Sequence, residues 1–323
     1  MFNSFKKMST KVSSEDFKIS RKGKWYAIAP IIIILSGLIV FFVVNFNLGL
    51  DFTGGRVIRV HGVEDYQATR SELTTIFRRL ERDHNARFSI MAIEGERGDS
   101  IDVTFQNISG WNDAQMDALA EDLIAQIQSA TGLEATNDGT ITARQSQQHV
   151  LTTFIAVAVA LGAMLVYMLF RFKYTSGISA LVGLMHDVFV MLALTVIFRV
   201  QVNAAYIAAL ITVIGYSLNN TLILFDRIRT LEKTHGATLT TEEIVDRGVR
   251  ETFKRTMATT ITTVVPIFVL IVAGVPLIRQ FALPIFFGLV AGTFSTIFVT
   301  TALYVRFENA RKAIKKRKAL AAK

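Results

Sequence analysis

Apolar residues gather into six charge-poor runs: Trp25–Phe46, Val150–Phe170, Gly177–Phe198, Val202–Phe225, Met257–Val275 and Phe281–Val305. Each is about 19–25 residues long, and a helix rising 1.5 Å per residue needs about 20 to cross a bilayer core. Lipid offers the backbone no partners, so only helices and closed barrels span it, and runs of this length predict helices. The expected architecture is an α-helical membrane protein with six transmembrane helices. The first run is too long for the apolar stretch of a cleaved signal peptide, and no small-x-small site follows it, so it reads as a retained helix.

Between the first and second runs the period changes. Val57–Val60 and Phe88–Ile93 read as strands, and Ile101, Val103 and Phe105 alternate with polar positions as a half-buried third. Thr69-x-x-Glu72 predicts a capping box before a helix whose apolar face is Leu73, Ile76, Phe77 and Leu80. Asn112 and Gln115 predict a second, with the stripe Met116, Leu119, Leu123, Ile124 and Ile127. A weaker strand signal covers Ala135–Ala143. The order β-α-β-β-α-β is that of a small α+β, ferredoxin-like domain. Many functions use that fold, and no catalytic constellation stands in this one. His61 and His84 are isolated and read as surface or packing residues.

Charge sets an orientation. Of the 35 Lys and Arg residues, 24 fall in residues 1–24, 171–173, 226–256 and 306–323, and 11 fall on the other side. The positive-inside rule then places both termini in the cytoplasm. The expected organisation is a cytoplasmic segment over 1–24, a first span over 25–46, and an exported domain over 47–149. Helices two to six follow over 150–305, with a cytoplasmic loop at 226–256 and a basic tail over 306–323. The exported segment carries 9 basic and 16 acidic residues, whereas the whole chain is at +9. With 51% hydrophobic and 19% charged residues and a mean hydropathy of +0.40, the chain is greasy and basic. That combination points to cationic membrane flanks rather than to nucleic-acid binding. Cysteine is absent, which excludes disulfides, thiolate metal sites and Cys nucleophiles. No cofactor or metal site is expected, and an intramembrane enzyme has no nucleophile–base set to work with.

Candidate chemistry lies inside the spans. Ionisable groups within lipid are costly and mark functional sites by default. Only the third run has them, at His186-Asp187. Two readings stand for Asp187: a protonatable site facing the bundle, or a neutral acid that pins helices three and four. Successive helix positions point about 100° apart, so His186 and Asp187 are expected to face different neighbours. The fourth run carries Tyr216, Ser217, Asn219, Asn220 and Thr221, expected to face the bundle or a wet cavity. Thr240-x-x-Glu243 caps a basic amphipathic helix with the stripe Ile244, Val245, Val249 and Phe253, lying on the membrane surface or docked on the bundle. The tail Arg311–Lys318 suits anionic lipid headgroups.

Three motifs carry a resemblance: Leu48-Gly49-Leu50-Asp51-Phe52-Thr53-Gly54-Gly55, Gly183-Leu184-Met185-His186-Asp187, and Gly215-Tyr216-Ser217-Leu218-Asn219-Asn220. In that order, with Glu251–Thr256 and Gly288-x-x-x-Gly292 after them, the chain resembles the SecF family of bacterial Sec secretion subunits, related to the resistance–nodulation–division transporters. The resemblance implies a non-enzymatic membrane subunit that works with SecD and the SecYEG channel. It would use the proton gradient to help draw a translocating polypeptide across the bacterial cytoplasmic membrane. It implies that Gly49, Asp51, Gly54 and Gly55 form a hinge or tight junction, and that Arg255 matches a functional arginine. Where the family usually has an aspartate, this chain has Asn220, which cannot ionise. Asp187 is then the buried carboxylate this chain offers. The N-terminal Met and basic lead suggest that SecD is a separate chain. A small-molecule or lipid exporter of the same superfamily is the alternative, although its halves carry larger exported domains.

Overall fold

A computed structural model describes residues 26, 28–84, 87–93, 100–274 and 276–321. The segment expected over 1–24 lies outside the described residues. The chain forms two compact units. One comprises residues 47–156 and 201–205, and the other the remaining helical parts.

The α+β unit opens with β1 (Asn47–Leu48), the short helix α2 (Leu50–Thr53) and β2 (Gly55–Val60). Then come α3 (Tyr66–His84), β3 (Phe88–Ile93), β4 (Ser100–Gln106), α4 (Asp113–Thr131) and β5 (Ala135–Ile141). The four-stranded sheet has the order β3-β4-β2-β5 with every neighbour antiparallel. Ile58, Val60, Leu73, Phe77, Ile101, Val103, Phe105, Met116 and Ile127 bury together as its core. The Asn112–Gln115 capping box makes both of its bonds. The Thr69–Glu72 box does not form. Asp65 Oδ1 accepts from the amides of Gln67 and Ala68, so α3 starts one turn earlier and Thr69 Oγ1 donates to the Asp65 carbonyl. An ionised carboxylate ahead of the first turn is a better cap than a hydroxyl one turn in.

The helical unit contains α1 (Ile28–Val44), most of α5 (Ala143–Arg171), α6 (Tyr174–Ile197), α7 (Ala204–His235), α8 (Thr241–Ala273), α9 (Pro276–Ser295) and α10 (Thr301–Ala321). A π-helical turn at Thr296–Thr300 joins α9 to α10. Five described stretches are long and apolar enough to cross a membrane: Arg144–Met168, Tyr174–Ile197, Ala204–His235, Thr241–Ala273 and Ile278–Ala321. α1 is an apolar helix of 17 residues, and Trp25, the expected start of the first span, is outside the described residues. α6 is the hub, packing against α1, α9 and α10.

The loop expected over 226–256 is mostly helix. α7 continues to His235, and α8 begins at Thr241, capped by both bonds of the Thr240–Glu243 box. The expected amphipathic helix is the first half of α8 and docks on the bundle. Ile244, Val245, Val249 and Phe253 bury against Ile228, Leu231 and Tyr304. Its apolar stripe finds protein partners, so nothing interrupts the helix between docked half and span.

Candidate functional site

α6 and α7 bring the intramembrane polar residues together. Asp187 is fully buried. The Ser217 hydroxyl donates to its Oδ2 in a short hydrogen bond, and Oδ1 shares a 3.0 Å bond with His186 Nδ1. The expectation that His186 and Asp187 face apart is therefore corrected. Neighbouring Cβ vectors diverge, but the carboxylate and the near ring nitrogen can still meet across the helix surface. Among the described residues no Lys or Arg pairs with Asp187. α9 seals this pair from above: a Cβ on Gly292 would lie 3.0 Å from Ser217 Cβ and 3.4 Å from Asp187 Oδ2, so only glycine leaves the pair its room.

On the same two helices and the π-turn, several buried polar atoms lack protein partners among the described residues. Asn220 is fully buried, and among the described residues neither its Oδ1 nor its Nδ2 finds a bond. The same holds for Tyr216 Oη, His186 Nε2 and Thr300 Oγ1. Thr221 Oγ1 and Thr296 Oγ1 are 3.1 Å apart, which ties α7 to the π-turn. Buried groups of this kind are normally satisfied, and polar atoms left without protein partners are suited to bound water.

Two expected members stand apart. Asn219 is exposed, because five polar residues within six positions cannot share one helix face. Arg255 on α8 is also exposed, and among the described residues no side-chain bond joins it to Asp187 or Asn220.

The glycine motif is a fastened junction within the α+β unit. β1 pairs in parallel with β6 (Gln201–Val202), with Asn47 opposite Gln201 and Leu48 opposite Val202. Gly49 N donates to the Val202 carbonyl at 2.7 Å. Asp51 Oδ2 accepts from the Ala204 amide at 2.8 Å, so it caps the start of α7. Gln106 Nε2 donates to the Leu48 carbonyl at 3.0 Å. Gly54 has φ 67°, and Gly55 has φ 150° with no room for a side chain: a Cβ there would lie 2.1 Å from the Phe105 carbonyl oxygen. The pairing with residues 201–204 had no legible signal, because two-residue strands leave no period.

Two arginines of β2 are paired. Arg56 is completely buried; its Nε donates to Asp117 at 2.7 Å, and its Nη2 lies 3.5 Å from Asp113 and donates to the Asp113 carbonyl. Arg59 meets Asp102 through two bonds and Asp138 at 2.7 Å. The bond to Asp102 raises the Arg59 guanidinium above its ordinary range. His61 Nε2 lies 3.1 Å from Thr136 Oγ1, a packing contact.

These features define a multi-pass α-helical membrane protein with a buried carboxylate in its bundle and a folded α+β insert. The family model described as protein export membrane protein SecD/SecF, C-terminal, matches residues 121–310, and that of the SecD/SecF GG motif matches residues 39–61. The chain belongs to the SecD/SecF family. It is 30% identical over 309 residues to a protein translocase subunit SecF from Helicobacter pylori, covering 92% of this chain and 91% of that one. It is 39% identical over 159 residues to a SecDF from Thermus thermophilus, covering 49% of this chain and 22% of the relative. The crystal structure of the Thermus SecDF, titled a translocon-associated membrane protein, superposes with a TM-score of 0.73 at 28% identity. The match covers 92% of this chain, which spans only 39% of that longer one.

Proposed function

We propose that this protein is a SecF-type auxiliary subunit of the Sec translocase, assisting export of polypeptides across the bacterial cytoplasmic membrane in a step that depends on the proton gradient. The observation that carries this reading is the alignment with the Helicobacter SecF over about nine-tenths of both chains. SecD is the expected partner, since relatives with SecD and SecF in one chain match this one. SecYEG and the translocating polypeptide complete the assembly. The protein is read as having no catalytic activity of its own.

In this reading α1 completes six spans, both termini are cytoplasmic, and the α+β insert is a ferredoxin-like domain on the far side. The sheet order and the two helix crossovers support the last point. The tail Arg311–Lys318 meets anionic headgroups. Within the bundle, Asp187 is the group that takes and releases a proton. Ser217 and His186 orient it, and Tyr216 and Asn220 offer polar atoms to water beside it. Asn219 and Arg255, both exposed, are read as contacts of the assembled complex rather than as members of this cluster. The junction of Gly49, Asp51, Gly54 and Gly55 transmits motion to the insert.

The test is depletion in the native cell, followed by export kinetics of a secreted preprotein with and without the proton gradient. Depletion should slow export and remove most of its response to the gradient. Unchanged kinetics in both conditions would falsify the translocase reading.

A further inference from the structure

A charged cleft of about 400 Å³ opens at the turn between α5 and α6, and none of its lining residues belongs to the intramembrane site. Its walls include Phe170, Arg171, Lys173, Arg229, Glu232 and Lys233. Two of the four cations are already paired: Arg171 with Asp226 at 2.8 Å, and Lys173 with Glu232 at 2.6 Å. Arg229 reaches only the Arg171 carbonyl, at 3.4 Å, and among the described residues Lys233 has no ion pair. The cleft therefore holds two cations whose charge nothing nearby cancels. Phe170 stands at the rim, 90% exposed, at the end of a helix whose Leu151, Phe154, Val159 and Val166 are exposed as well.

We infer that this cleft binds the headgroup of an anionic phospholipid, with the phosphate between Arg229 and Lys233 and an acyl chain along Phe170 and α5. Two unbalanced cations select a phosphodiester with one net negative charge over a zwitterion, whose amine would add to the cationic excess of Arg229 and Lys233. The apolar rim favours a lipid over a free anion, because a soluble phosphate would leave Phe170 uncovered. The site is separate from the exposed basic tail on α10. The inference rests on the membrane reading above, in which this turn lies at the cytoplasmic headgroup level.

Full-length protein in neutral detergent is titrated with phosphatidylglycerol, and lipid retention is read by native mass spectrometry. Phosphatidylcholine and inorganic phosphate serve as competitors. Wild type should retain phosphatidylglycerol and resist both. The R229Q/K233Q pair should weaken retention about thirtyfold, at about fivefold per cation, and K315Q/K316Q in the tail should leave it unchanged. K233Q, on an exposed side chain, should weaken it about fivefold and stands in if the double variant misfolds. Equal loss in the tail and cleft variants would overturn the assignment, as would displacement by phosphatidylcholine or by phosphate alone. The assay is blind to sidedness, so orientation is read separately. Lys233→Cys, in a chain otherwise without cysteine, should resist a membrane-impermeant thiol reagent added to intact cells. Labelling there would overturn the cytoplasmic placement and leave the headgroup result standing.

Discussion

The two units bury ionisable groups in opposite ways. In the α+β unit, Arg56 has no exposure, but two carboxylates and two carbonyls surround its guanidinium. In the helical unit, Asp187 is as deeply buried, yet its partners are a hydroxyl and an imidazole. The first arrangement neutralises a permanent charge and has one stable protonation state. The second offers a hydroxyl and an imidazole and, among the described residues, no Lys or Arg. A permanent charge buried with its counter-charges serves structure, and a buried acid held only by a hydroxyl and an imidazole is where function is sought.

The largest effect should come from stripping the pairing in the α+β unit. Asp113→Ala with Asp117→Ala leaves Arg56 buried without a counter-charge and should cost about 3–5 kcal/mol. Hydrogen exchange of the full-length protein would read this as lost protection in β2 and β4. Arg56→Met should cost less, because it removes the charge along with the need to pair it. A double variant as stable as wild type would break the contrast.

Asp187→Asn should leave the melting midpoint and association with SecD intact while lowering export to the level seen without a proton gradient. Gradient-dependent export at the wild-type level would reassign Asp187 to pinning α6 against α7. Asp51→Ala removes a helix cap and should cost about 1 kcal/mol, seen as faster exchange of the Ala204 and Ala205 amides with the sheet unaffected. The smallest change in stability should come from Asn220→Leu, which replaces two buried atoms that lack protein partners. It should melt close to wild type yet export more slowly. Normal export from that variant would remove Asn220 from the cluster.

Much of this was legible in the chain, for reasons that differ by region. Long uncharged runs and capping boxes at Asn112 and Thr240 are local signals, and local physics decides them. Asp65 escaped notice because Thr69-x-x-Glu72 matched the familiar box while the better acceptor stood just ahead of it. The docked half of α8 was recognisable as amphipathic, but whether lipid or protein covers its stripe depends on residues 228–231 and 304, distant in sequence. At the candidate site, Asp187 announced itself by being the one carboxylate within the runs. Ser217 as its partner, the exclusion of Asn219 and the withdrawal of Arg255 follow from helix phase and packing, which no single segment encodes. Arg56 looked like any strand arginine, because its burial is imposed by α4 from sixty residues away.

One contact joins these themes. Asp51 of the glycine motif caps the same helix that carries Ser217 and Asn220 further along. An α-helix is stiff along its axis, and about 20 Å separates Ala204 from Ser217 at 1.5 Å per residue. The motif and the buried acid therefore each hold on to the same continuous helix, one at its first residue and one along its length.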